Sequence, residues 1–208
     1  MSKAEEYLKS RVVLILRSTA CLNIQFTIVG STVMGYGYAS LADMIEQGDI
    51  DVGVGDAGGF GVRYAHQRDF IPALTFDSDD PMFATTPSGR AAIVHEATHA
   101  VIDCGRRGVA SASGGDDEIA AYLARTIYSL NAGDPVVQTG PLAGPVYRIA
   151  LKIKKFAGPG LYVVSPEEIA IAKPLIFAQF VGIARTQAMT TQVIMRSVAP
   201  PSVPIVPD

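Results

Sequence analysis

Cysteine is scarce in the 208-residue sequence: Cys21 and Cys104 stand far apart, form no CxxC pair and define no disulfide framework. Long apolar runs are missing as well. No stretch approaches the ~18 apolar residues of a membrane-spanning helix, and the nearest candidate, Val12-Val13-Leu14-Ile15-Leu16, is stopped by Arg17. Clustered positive charge is also absent. The formal net charge is −3, and the basic groups (Lys152, Lys154 and Lys155; Arg106 and Arg107) are short, isolated and read as solvated faces. Neutralising phosphates needs many Lys and Arg together, so no nucleic acid partner is expected, and no membrane partner either. The start, Met1-Ser2-Lys3-Ala4-Glu5-Glu6, lacks the basic end, apolar core and cleavage site of a signal peptide. A cytoplasmic address is the default expectation, with signal-less export left open.

What is present is material for a core. Apolar residues make up 49% and charged residues 18%, with a mean hydropathy of +0.27. That suits one domain, expected over residues 1–198. Residues 199–208 hold four prolines in ten and are expected to be a flexible, extended tail.

Helical periodicity marks residues 3 to about 17, and loose alternation marks a strand from Leu22 to Val29. Ser40 to Gln47 reads as a short helix stopped by Gly48. Ile50-Asp51-Val52 leads into a Gly-rich turn, Gly53 to Gly61, followed by strands at Gly61 to Ala65 and Phe70 to Phe76. Pro72 suggests an edge position for the last of these. From there the patterns are helical: Thr86 as N-cap with Pro87 in the first turn and an end at Gly105, then Asp116 to Leu130, and Val146 to Phe156. A capping box, Ser165-Pro166-Glu167-Glu168, opens a last helix that Pro174 kinks or splits. Strands early and helices late predict an α+β fold, a small N-terminal sheet with helices ahead of a helical C-terminal region.

Chemistry concentrates at His95-Glu96-Ala97-Thr98-His99. Histidines four apart on a helix project from one face, one turn apart, and can share one zinc ion. Glu96 is placed to take a proton from a metal-activated water. A catalytic zinc needs a third protein ligand and an open position, and Glu118, opening the next helix, is the candidate. The helix is apolar nearly all round, so it should be buried, and two histidines and a glutamate are costly there unless paired or metal-bound. A satisfied polar cluster in the core is the competing reading.

The stretch Val94 to Asp103 resembles the active-site helix of gluzincin metallopeptidases, the thermolysin-like and aminopeptidase-like clan. His99 and Glu118 enclose eighteen residues, similar to the HExxH-x18-E spacing of the clan's aminopeptidases. The resemblance spans Thr86 to Leu130. It implies a zincin-like fold, one zinc per chain held by His95, His99 and Glu118, Glu96 as general base, and peptide substrates. The pattern departs from the thermolysin group at Tyr122, where that group has Asp, and at Asp117, where it has Asn. A counterpart of its distant intermediate-stabilising histidine is not seen. The chain is short, closer to the miniature gluzincins.

Further candidates surround the motif. Asp103, one turn past His99, is placed either to orient that ring or to face water. Tyr122, one turn past Glu118, is a candidate to bond an oxyanion, or a core tyrosine. His66 is a third ligand, an intermediate stabiliser or a surface histidine, and Asp117 is a fallback ligand. Gly53-Val54-Gly55-Asp56-Ala57-Gly58 fits GxGxxG, but no helix pattern follows it, so a dinucleotide site is not expected. Asp77, Asp79 and Asp80 lack the spacing of a calcium loop. The segment before Thr86, Phe70 to Phe76, is the expected substrate-binding edge strand. The expected function is therefore a zinc metallopeptidase acting on a peptide or protein. The alternatives are a deformylase-like zinc amidohydrolase, for which Cys21 is the only upstream cysteine, and a non-catalytic zinc-binding interaction module. Oligomeric state is not legible.

Overall fold

The computed structural model describes residues 2–59, 61–66, 71–78, 80, 82–105, 114–136 and 143–175. The Pro-rich tail and whatever follows Pro174 and Leu175 lie outside these residues. The fold is α+β. Helices α1 (Lys3–Leu16) and α2 (Thr19–Leu22) precede a hairpin of β1 (Gln25–Ile28) and β2 (Ser31–Met34), then α3 (Gly35–Gln47). Strands β3 (Asp51–Val54), β4 (Val62–Ala65) and β5 (Ala73–Phe76) follow, and a 3-10 turn at Phe83–Thr85 leads into α4 (Pro87–Gly105). Helices α5 (Gly114–Ala132), α6 (Ala143–Lys155) and α7 (166–175) complete the described chain.

Local chemistry sets most boundaries. Ser2 and Glu5 form a reciprocal capping box on α1. Thr86 Oγ1 accepts the Gly89 amide at 3.0 Å, capping α4 as its sequence predicts. Ser165 and Glu168 exchange the two bonds of the box that opens α7. Other boundaries differ from the periodic reading. Leu22 closes α2 instead of opening a strand, because Ser18 caps that turn through the Cys21 amide. Helix α3 begins at Gly35, five residues ahead of Ser40. Gly35 is no breaker there: a side chain on it would run into the Leu22 backbone, so glycine allows the close approach.

The strands form a two-stranded antiparallel hairpin and a three-stranded sheet of order β3-β5-β4. β5 pairs parallel with β3 and antiparallel with β4, and therefore sits at the centre. This corrects the edge position inferred from Pro72. The proline lies just before the strand, where its missing N–H costs no ladder bond, and its carbonyl still accepts the Asp51 amide at 2.8 Å. Leu74 and Phe76 of β5 are fully buried. The Gly-rich turn after β3 leads straight to β4, and the Asp77 carboxylate accepts the Ala57 and Gly61 amides at 2.7 Å each. That carboxylate closes a loop.

One apolar cluster joins α1, α3, the three-stranded sheet, α4, α5 and α6. Inside it, Tyr38 of α3 and Thr98 of α4 bond at 2.8 Å, both fully buried. Since Thr98 Oγ1 donates to Val94 O at 2.7 Å, the Tyr38 hydroxyl is the donor between them. Arg90, at the start of α4, forks onto Asp134 just past α5, Nη2 donating to Oδ1 at 2.7 Å and Nε to Oδ2 at 3.3 Å. The two helices therefore run antiparallel. No helix among the described residues is long and apolar enough to cross a membrane.

Candidate metal centre

The face of α4 that carries His95 and His99 meets the first turns of α5. Both imidazoles turn Nε2 toward the Glu118 carboxylate, one to each oxygen: His95 to Oε2 at 3.3 Å and His99 to Oε1 at 3.4 Å. The rings stand nearly perpendicular, 77° apart, with centroids 5.1 Å apart. All three side chains are largely withdrawn from solvent, at 11%, 20% and 20% exposure. The group can hold a metal ion, its ligand atoms lying within 4.8 Å of one another.

The separations themselves test the fit. A charge-assisted N–H···O bond closes to ~2.7–2.9 Å, and both contacts are longer. Ligand atoms at ~2.0–2.1 Å from a tetrahedral zinc stand roughly 3.3–3.4 Å apart, the edge of the tetrahedron. The observed 3.3 and 3.4 Å are of that length, each measured to a different oxygen of Glu118. One feature fits less well. His95 Nδ1 is buried without a hydrogen-bond partner, whereas a ligating histidine usually donates from its second nitrogen. The donor set suits a metal ion, and His95 lacks that second hydrogen bond.

The site is electrostatically biased. Burial alone would raise the Glu118 pKa, but the bonds and charges of His95 and His99 bring it down to about 2. Burial would lower that of His99, but Glu118, with Glu96 and Asp117 adding to it, holds it above its ordinary value. Glu96 has divided roles for its oxygens. Oε2 accepts the Tyr64 amide of β4 at 2.8 Å, while Oε1 lies 3.9 Å from His95 Nε2. β4 is an outer strand, and this amide is spent on the helix instead of a neighbouring strand.

The other expected residues are distributed as follows. Asp117 is not part of the ligand group and acts on His99 through its charge. Tyr122 packs its ring edge-on against His95, with centroids 4.7 Å apart. Asp103 does not orient His99: its Oδ2 accepts the Tyr64 hydroxyl at 2.9 Å and meets His66 Nδ1. Asp103 thereby ties the end of α4 to β4, and His66 is held at the strand's end instead of joining the ligands. Cys21 is buried in α2, its thiol pushed up to about 12 by burial, and is not in the group.

One participant was not anticipated from the sequence, Tyr64, whose amide holds Glu96. Strand alternation puts Tyr64 and His66 on one face, which is the available signal for their shared partner. No protein-family model, curated protein or solved structure matches the chain.

Proposed function

We propose that the chain is a zinc-dependent hydrolase of peptide bonds, with a zincin-like arrangement of edge strand, active-site helix and following glutamate helix. The observation that carries this is the convergence of two Nε2 atoms on the Glu118 carboxylate, one to each oxygen, at 3.3 and 3.4 Å. His95, His99 and Glu118 hold the ion, one per chain, leaving a coordination place open. When bound, zinc supplies a Lewis acid that lowers the pKa of water and polarises a carbonyl.

The chain's own groups do the rest. The Tyr64 amide fixes Glu96 through Oε2, so Oε1, on the His95 side, is the oxygen that takes a proton from the attacking water. The same carboxyl then returns that proton to the leaving nitrogen. The substrate strand lies along β4, the outer strand tied to α4, and not along the central β5. The Tyr122 ring against His95 holds that imidazole in place. A closed structural site needs four protein ligands, and among the described residues the group has three.

The test is a peptide library offered to metal-replete protein, with products read by mass spectrometry. Wild-type protein is expected to cleave, and Glu96→Gln to keep its metal while losing at least about a hundredfold in kcat, the scale of general-base catalysis. Unimpaired cleavage by Glu96→Gln would assign the base elsewhere.

A further inference from the structure

The strip of α5 that carries Glu118 also carries a cation. Glu118, Tyr122 and Arg125 are four and then three residues apart, so they share one side of the helix. The helix runs antiparallel to α4, as the Arg90–Asp134 pair requires. Residues after Glu118 therefore pass back beside His95 and Glu96. The Tyr122 ring lies against His95, and the Arg125 guanidinium carbon lies 5.7 Å from the centre of that Tyr122 ring.

Arg125 is half-buried, and no carboxylate among the described residues forms an ion pair with it. The contrast with Arg90, clamped bidentately by Asp134, is direct. Burial pulls the Arg125 pKa below its usual value, opposed by Tyr122 and by the charge of Glu96. A guanidinium partly withdrawn from water with no carboxylate in ion-pair contact is costly, and its planar fork fits a carboxylate through two parallel bonds.

We propose that Arg125 is a specificity residue that binds a carboxylate of the substrate close to the bond cleaved. The inference rests on the hydrolase reading above and adds the substrate class, a peptide with a negative group near the scissile bond. Seven helical residues advance about 10.5 Å, the length of about three extended peptide residues. The carboxylate therefore belongs to one of the three residues beside that bond, as a chain terminus or as an Asp or Glu side chain.

The experiment offers full-length, zinc-loaded protein three matched peptide sets: free C-terminal carboxylate, C-terminal carboxamide, and carboxamide with one internal Asp or Glu. One carboxylate set is expected to exceed the neutral set in kcat/KM by about tenfold to a hundredfold, the range of a charge-assisted hydrogen bond. Which set it is distinguishes a terminal from a side-chain carboxylate. Arg125→Gln is expected to erase that preference at unchanged zinc content, with the neutral set within about threefold of wild type. Arg125→Lys, which keeps the charge without the fork, retains part of it and carries the comparison if the Gln variant loses its fold. Equal kcat/KM across the sets in wild type overturns the inference. An equal loss for all three sets in Arg125→Gln overturns it too, since that marks a structural or oxyanion role. If wild-type protein cleaves none of the peptides, the hydrolase reading fails by itself. The same peptides are then titrated calorimetrically: Arg125-dependent tighter binding of a carboxylate set supports the subsite, and equal or undetectable binding of charged and neutral sets overturns it.

Discussion

Thr98 lies between the two histidines and looks like a filler position, yet it is among the most constrained residues of the site. Its hydroxyl donates to Val94 O and accepts from Tyr38 in a region closed to water. The two partners are not equivalent. Tyr38→Phe removes one neutral bond and leaves Thr98 still bonded to Val94, a loss of ~0.5–1.5 kcal/mol. Thr98→Val removes the acceptor and leaves the Tyr38 hydroxyl buried without a partner, ~1–3 kcal/mol. Urea unfolding is expected to rank Thr98→Val as the more damaging, and the reverse order would contradict the donor assignment. Asp103 and His66 teach a related lesson. Asp103 is visible in the sequence one turn past the motif and His66 far before it, but their pairing with each other depends on β4 lying over α4, which no local spacing reports.

At the scale of elements, the segments with explicit caps were legible. Thr86-Pro87 and Ser165–Glu168 start helices because their side chains satisfy the first free amides, a local interaction that the sequence displays directly. The two glycines that bound α3 differ for an equally physical reason. Gly48 ends α3 in the left-handed region, with φ of 86°, as a helix-stopping glycine should. Gly35 instead starts the same helix because Leu22 packs against it, a tertiary reason outside any window of sequence. Gly35→Ala is therefore expected to destabilise by ~1–3 kcal/mol or more through overpacking against backbone. Gly53, with open space where a side chain would stand, provides the control; Gly53→Ala is expected to lie within about 0.5 kcal/mol of wild type. Comparable thermal shifts for the two would remove the packing argument. The ordering β3-β5-β4 was likewise out of reach, since Pro72 signals a missing donor but not on which side of the strand's start it falls. The site helices were different: two histidines four apart on one helix and a glutamate opening the next are legible in the sequence, and the eighteen-residue interval added only its resemblance to the gluzincin pattern.

At the scale of the whole molecule, the proposed metal site would couple its charge state to an ion. Without an ion, His99 is held above 6.5 and Glu118 is lowered to about 2 from 4.5. The His99 contribution to stability is complete below 6.5 and is lost as pH rises through its raised folded pKa. The Glu118 contribution is present above 4.5 and is lost as pH falls toward about 2. Metal-free protein is expected to lose thermal stability as pH rises from 6.5 through the His99 titration. Metal-loaded protein is expected not to lose it there, because the ion takes the place of the proton on a neutral imidazole. Melting curves between pH 5 and 9, with and without zinc, separate the two cases. Parallel pH profiles would mean that the ion does not engage His99.

The central claim is that His95, His99 and Glu118 share one ion, and metal content measures it most directly. Protein purified and dialysed against trace zinc, then assayed by mass spectrometry of the elements, is predicted to carry one zinc per chain. The His95→Ala, His99→Ala double variant is predicted to carry none while staying folded by circular dichroism. Full zinc occupancy in that folded double variant, or none in the wild type, would contradict the account.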